Sequence, residues 1–306
     1  MPITVPAELA ASIVRHHGRS GREFVAALPG LAAEFLRRWE LEPDGNPWHG
    51  VGSLVLPVNR ADGAAVLKLR FVEPDTEAEP VGLRAWNGAG AVELLDHDPA
   101  TGTMLLERLD GDRTLGGVPD DVAALHILSE LLSRLVAVPA PAGVRRLSDL
   151  AGVMLHRAAE IEPQLPAEQQ RWLAWCAAQV REVVHEPGDR LLHWDLHYDN
   201  VLAAHPADRR EPWLAIDPQP LAGDPCFELL PALHNRWDDV VATGDPARAV
   251  RRRFDLMTEV LELDRARARA WTCGRLLQEM VWHFDDGEPA LSPAEQVIVT
   301  TLTRER

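Results

Sequence analysis

Lysine is almost missing. The 306-residue chain holds 31 lysines and arginines together, and Lys68 is its one lysine. A coding bias towards arginine accounts for the replacement elsewhere, but not for the one that stays. The two side chains differ where a compact ammonium must fit a tight site. Chance retention is the plain alternative. Cysteine is scarce too: Cys176, Cys226 and Cys273 lie far apart, odd in number and without a CxxC. That argues against a disulfide framework or a zinc knuckle, reads the cysteines as buried and inert, and fits a reducing cytoplasm. No run of about 18 apolar residues is present, so no membrane span is expected. The opening MPITVPAELAASIVRHHG lacks the basic-then-apolar layout of a signal peptide. Internal repeats and low-complexity stretches are lacking as well.

Positive charge is in deficit: Asp plus Glu number 47, for a net charge of −16. Such a surface repels phosphate backbones, which argues against a nucleic-acid partner. It suits a cationic small molecule, although acidity is also an ordinary solubility trait. With 46% hydrophobic and 25% charged residues, the chain is a globular protein of one large or two modest domains.

Residues 6–41 read as helices, with a break near Gly18 and Gly21 and a new helix starting at Pro29. The pattern then turns β-rich. SLVLPV and AAVLKLRF flank the turn signal Asn59-Arg60-Ala61-Asp62-Gly63, which predicts a hairpin. A helix is expected over residues 75–87, then strands in GAVELLDHD and TMLLERL. Leu109-Asp110-Gly111-Asp112 reads as a connector. Beyond Pro119 five segments carry a 3.6-residue period. They are interrupted by one island, residues 188–225, with a small hairpin formed by VLAA and WLAID.

The island concentrates the chemistry. His193-Trp194-Asp195-Leu196-His197-Tyr198-Asp199-Asn200 has the form H-x-D-L-x-x-x-N, and Asp217 ends the WLAI run. Two carboxylates and an amide in one loop are a poor packing device, because burying them unpaired costs several kcal/mol. Beside Asp217 they suit a hard, oxygen-preferring ion such as Mg²⁺. The spacing is that of the catalytic loop and metal-binding Asp of protein-kinase-like enzymes. In that reading Asp195 orients the acceptor hydroxyl, and Asn200 and Asp217 hold the metal. Lys68, on the strand after a Gly50-Val51-Gly52-Ser53 turn, meets the nucleotide phosphates. Glu77 or Glu79 is placed to hold its ammonium. Each element is common alone; their order along the chain is the more specific signal.

At these residues the sequence resembles the aminoglycoside phosphotransferase family, in its streptomycin 6-phosphotransferase and hydroxyurea phosphotransferase branch. The resemblance runs from about residue 50 to 240, through SLVLPV, AVLKL, LRAWNGAGAVELL, LLERL, LLHWDLHYDNVLAA, REPWLAIDPQPLAGDP and FELLPALHNRW. It implies an α+β, bilobal, protein-kinase-like fold. Residues 1–108 would form an N-lobe of N-terminal helices and a nucleotide-binding antiparallel sheet; residues 109–306 would form a helical C-lobe with the catalytic loop and acceptor site. It implies ATP and Mg²⁺ as cofactors, Asp195 as catalytic base, and Asn200 and Asp217 as metal ligands. Lys68 would pair with Glu79, and Ser53 would belong to the nucleotide-covering loop. The Glu107 and Leu109 backbone would bind adenine at the hinge. The chain departs from the family where Trp194 replaces the glycine of HGD, where Gln219 stands for a frequent lysine, and where Pro80 and Gly82 enter the Glu79 helix.

The reading is an ATP-dependent O-phosphotransferase acting on a small, cationic, streptomycin-like acceptor, as a monomer or weak homodimer in the cytoplasm. Alternatives are a kinase for hydroxyurea or another small hydroxylated metabolite, a metal-dependent hydrolase built on His193, Asp195, His197 and Asp217, and a kinase relic that only binds nucleotide. His193 reads as a structural brace. Asp224 reads as a helix cap, and Trp237 and Trp282 as candidates for the acceptor border.

Overall fold

The computed structural model describes residues 3–50, 52–73, 76–205, 211–288 and 291–304. Val51 of the glycine turn, Asp75 of the expected helix and residues 206–210 of the island lie outside these.

The chain opens with α1 (Ala7–Arg38), whose helical path breaks at Gly18 (φ 54°, ψ −116°). A Cβ at Gly21 would stand 2.5 Å from the Ile13 carbonyl oxygen, so the kink needs a glycine there as well. Pro29 does not start a new helix, contrary to expectation; it sits inside α1. A proline costs a helix one hydrogen bond and crowds the preceding turn. Here Leu28, Ala32 and Phe35 are buried around it, and that packing holds the helix through the defect.

Six antiparallel strands follow: β1 (Glu42–Pro43), β2 (Trp48–His49), β3 (Ser53–Arg60), β4 (Gly63–Arg70), β5 (Leu94–Asp98) and β6 (Thr103–Glu107), in the order β1-β3-β4-β6-β5 with β2 also on β3. Alternation divides β4. Ala65, Leu67 and Leu69 join the core shared with α1, while Lys68 and Arg70 take the other face. Between β4 and β5, α2 (Glu79–Trp86) is shorter than the expected 75–87. Pro80 falls in its first turn, where a missing N–H costs nothing. Asn87 ends it in the left-handed region (φ 48°).

The expected connector is partly a strand. β7 (Asp110–Thr114) pairs with β10 (Val201–Ala203), which pairs with β11 (Trp213–Ala215) as the island hairpin. A stretch rich in Asp and Gly becomes a strand because a partner edge is available, a tertiary effect its composition does not carry.

The rest is helical, with α3 (Asp121–Leu135), α4 (Leu147–Ile161) and α5 (Ala167–Val183), then α6 (Leu229–His234), α7 (Trp237–Ala242), α8 (Pro246–Val260), α9 (Arg265–Asp285) and α10 (Pro293–Arg304). A three-stranded sheet of β8 (Arg145–Arg146), β12 (Leu221–Gly223) and β9 (Arg190–Leu192) supports the island. Asp120, Asp245 and Asp264 cap α3, α8 and α9 through side-chain oxygens on backbone N–H groups. No helix among the described residues is long and apolar enough to cross a membrane.

The helix carrying Glu79 is seated by a close approach. A Cβ on Gly82 would stand 2.6 Å from Cγ of Pro220, just beyond Asp217, and 3.1 Å from the Trp86 ring. Gly82→Val is therefore expected to push α2 off its seat, costing about 1–3 kcal/mol. Thermal unfolding should show a lower melting temperature. An unchanged one would mean that α2 is not seated on Pro220.

Candidate active site

The site assembles at one cavity of about 510 Å³. Ser53, Lys68 and Glu79 reach it from the sheet side; Asp195, Asn200, Asp217 and Gln219 reach it from the island. Of the expected site residues, only Glu107 and Leu109 lie off it. Leu109 lines a second cavity of about 500 Å³ with Trp48, Ala64 and Gly111. Glu107 ends β6, where it pairs with Ala65.

Lys68 is held from both sides, its Nζ 2.8 Å from Glu79 Oε1 and 2.8 Å from Asp217 Oδ1. Glu79 is thus the partner and Glu77 is not. Burial opposes both ions of the Lys68–Asp217 pair, and the pairing overrides it. Despite burial, Asp217 and Glu79 raise the lysine's pKa, and despite burial, Lys68 lowers that of Asp217. Arg70, two residues along the same face, donates to the other oxygen of Glu79. Sequence reading passed over Arg70, although its alternation with Lys68 was a usable signal.

The island is stitched by its own backbone. Ile216 N–H donates to the Asn200 carbonyl (2.9 Å) and Gln219 N–H to the His193 carbonyl (2.9 Å). Asn200 Nδ2 donates to the Asp195 carbonyl at 2.9 Å. The Gln219 amide lies 3.5 Å from Asp195 Oδ2. Burial raises the Asp195 pKa, with Asp217 adding to it against the pull of His197 and Arg275.

His193 is wholly buried and donates Nε2–H to the Ile216 carbonyl at 3.0 Å. Burial drives its pKa down to about 3, so it stays neutral. This is a brace, as expected, and it removes a ligand from the hydrolase alternative. His193, Asp195, His197 and Asp217 do not converge as metal donors. Among the described residues the group that does converge is Glu279, His283 and Glu295. These last three were not anticipated, because α9 and α10 meet only in the fold.

Trp194 takes the glycine position with φ 67°. It is 2% exposed, with the guanidinium carbons of Arg145 and Arg275 4.7 and 5.7 Å from its ring centroid. Its N–H donates to Glu228 Oε1 at 2.9 Å. Glu228 is buried, and burial pushes its carboxyl up to about 7 against the Trp194 N–H and Arg275.

Oxygen donors fit a hard cation here. Asn200 spends its amide nitrogen on Asp195, which leaves its side-chain oxygen to act as a donor in the cavity that the Asp217 carboxylate also lines. A Cβ on Gly50 would stand 3.8 Å from Asp217 Oδ2, so the glycine turn lies over that carboxylate.

An antiparallel sheet above a helical body, with lysine, carboxylates and an asparagine converging in the cleft, defines a protein-kinase-like phosphotransferase. A model of the family described as aminoglycoside/hydroxyurea antibiotic resistance kinase matches residues 38–287, and the chain belongs to that family. It is 56% identical over 303 residues to a streptomycin 6-kinase of Streptomyces glaucescens, across 98% of this chain and 97% of that protein. It is 51% identical over 304 residues to a hydroxyurea phosphotransferase of Kitasatospora aureofaciens, across 98% and 86%. Among solved structures, that of the aminoglycoside phosphotransferase APH(4)-Ia shares the fold with a TM-score of 0.59 at 14% identity, over 91% of this chain and 99% of that one.

Glu228 generates a pH prediction. Its folded pKa of about 7 exceeds the ordinary value of 4.5. Its stabilising contribution is therefore full below about pH 4.5 and is lost as pH rises through 7, a change of roughly 3 kcal/mol. Glu228→Gln keeps an acceptor for Trp194 but cannot ionise. Its melting temperature should fall less than the wild type's between pH 5 and 8. Parallel curves would refute the assignment.

Proposed function

We propose that the chain transfers the γ-phosphoryl group of ATP to a hydroxyl of a small cationic acceptor, a streptomycin-type aminoglycoside. The observation that carries this reading is the bridge of Lys68 between Glu79 and Asp217 in the cavity that Asp195 also lines. In this reading the lobes divide just beyond Glu107. Glu107 and Leu109 present backbone groups to adenine, and Ser53 lies in the turn that covers the phosphates. Lys68 binds phosphate oxygens while Glu79 keeps its ammonium in place. Mg²⁺, held by Asn200 and Asp217, would neutralise charge on the polyphosphate.

Asp195 orients the acceptor hydroxyl and takes its proton as the new O–P bond forms. The bond from the γ-phosphorus to the β–γ bridging oxygen breaks, and ADP leaves. Burial makes Asp195 a better proton acceptor than an exposed carboxylate, and Asn200 and Gln219 fix its direction. Most of the rate comes from positioning and from charge placed before the reaction begins.

A cationic acceptor is supported by the carboxylates that gather at Glu279 and Glu295, of which Glu279 is already paired with Arg275 and has its pKa raised by burial against that pairing. Carboxylates close enough to raise one another offer sites for guanidinium or ammonium groups. A second reading, with hydroxyurea as acceptor, is favoured by the 51% identity to a hydroxyurea phosphotransferase.

The test is ADP release with Mg²⁺ and ATP against streptomycin, hydroxyurea and simple amino alcohols. Streptomycin should give the highest kcat/KM. Asp195→Asn should lower kcat by about 10³-fold or more, and Lys68→Met should chiefly raise the ATP KM. Hydroxyurea alone supporting turnover would select the second reading. ADP release unaffected by Asp195→Asn would remove the mechanism.

A further inference from the structure

The first helix reaches into the catalytic cleft. Just before the kink at Gly18, His16 and His17 of α1 line the same cavity as Ser53, Lys68, Asp195 and Asp217. The match to the family model begins at residue 38, where α1 ends.

Two contacts tie this helix to the glycine turn. The His17 ring stacks on Phe71 with centroids 4.2 Å apart and planes 17° from parallel. Phe71 N–H in turn donates to the Gly52 carbonyl at 3.0 Å. Nearer the start of α1, Glu8 lies 3.7 Å from Nε2 of His49 on β2. The helix thus grips the turn on both sides. The turn lies over Asp217, and in the phosphotransferase reading the terminal phosphates would lie beside that carboxylate, at the end of the cleft the two imidazoles share.

Charge gives these imidazoles a reason to be there. Side chains lining the cavity include four carboxylates, Glu73, Glu79, Asp195 and Asp217, against two permanent cations, Lys68 and Arg70. Both cations are engaged by Glu79. A polyanion entering this cleft needs more donors than one shared ammonium. His197 turns Nδ1 to Asp199 N–H in the catalytic loop. His16 donates Nδ1–H to the Ser12 carbonyl at 2.9 Å, which leaves Nε2 for the cleft. His17 has Glu73 Oε1 3.6 Å from its Nε2. A ring nitrogen that carries a proton can donate to a phosphate oxygen.

We propose that α1 is part of the nucleotide site, with His16 and His17 contacting the terminal phosphate of the bound triphosphate. The proposal rests on the phosphotransferase reading above. It differs from a purely bracing role in one respect: a contact to the third phosphate distinguishes ATP from ADP, whereas a brace on the turn affects both alike.

The experiment is calorimetric binding of ATP and of ADP, each with Mg²⁺, to the wild type, His17→Phe and the double variant His16→Ala/His17→Phe. Phenylalanine keeps the stack on Phe71 and removes the ring nitrogens. The double variant should bind ATP about 10-fold more weakly, the loss of a charge-assisted hydrogen bond, with ADP affinity within about 2-fold. The ATP KM should rise by a similar factor with kcat little changed. His17→Gln, which retains an N–H donor, should recover part of the loss. Equal weakening of ATP and ADP, or no change in either, overturns the proposal and leaves the enzyme reading intact. A wild type that does not bind ATP overturns the enzyme reading itself.

Discussion

One buried ammonium links the two halves of the molecule. Lys68 on β4 holds Glu79 from α2 and Asp217 from the end of the island hairpin, and it is 4% exposed. Taking such charges out of water costs several kcal/mol per ion unless each finds close partners. The strand, the helix and the loop must therefore meet at one place, to within hydrogen-bond distance, or leave an ion stranded. This constraint explains the lone lysine. An arginine's planar fork would need two acceptors side by side, whereas here they approach one nitrogen from different lobes.

Arg70 changes what this bridge can do. Its guanidinium occupies the second oxygen of Glu79, so Glu79 holds a cation on each of its two oxygens. Without Arg70, a carboxylate that is 1% exposed would depend on Lys68 alone, an ammonium it shares with Asp217. With it, the lysine's charge can be divided between two carboxylates at low electrostatic cost. The seat of α2 against Pro220 serves the same end, because Pro220 follows Asp217 by three residues and both carboxylates are thereby referred to one rigid segment.

How much of this was legible in the sequence depends on the distance over which each signal acts. The β3–β4 hairpin, the long helices and the island hairpin followed from local periodicity and turn residues. That Lys68, Asp195, Asn200 and Asp217 would meet at one cavity was legible from their types and order along the chain. Pro29 was over-read and Gly18 carries the break, since burial can retain a proline but cannot remove a left-handed φ. The connector strand β7 needed its partner β10. Glu228, Glu279 and the two α1 histidines escaped notice because nothing local marks them, and for Arg70 the alternation with Lys68 did not by itself point to Glu79. Each gains meaning only from a neighbour brought up by the fold: Glu79, Trp194, Asp195 or the glycine turn.

Trp194 shows how such neighbours absorb a departure from a motif. A bulky residue with φ 67° pays a backbone penalty that glycine avoids, about 1 kcal/mol or somewhat more. The guanidinium groups of Arg145 and Arg275 lie against the ring, and the backbone N–H of Trp194 is taken by buried Glu228. Arg275 also lowers the pKa of both Asp195 and Glu228, so it couples the indole to the two carboxyls on either side of the loop. The Trp282 ring lies 6.4 Å from that of Trp194 and is 38% exposed, which extends the aromatic wall from the buried loop to the surface. Glycine at position 194 would relieve the backbone and at the same time unstack Arg275 from one face. The substitution that looks like a defect in the catalytic motif is therefore tied to the position of the neighbouring cation, and through it to the charge that Asp195 feels.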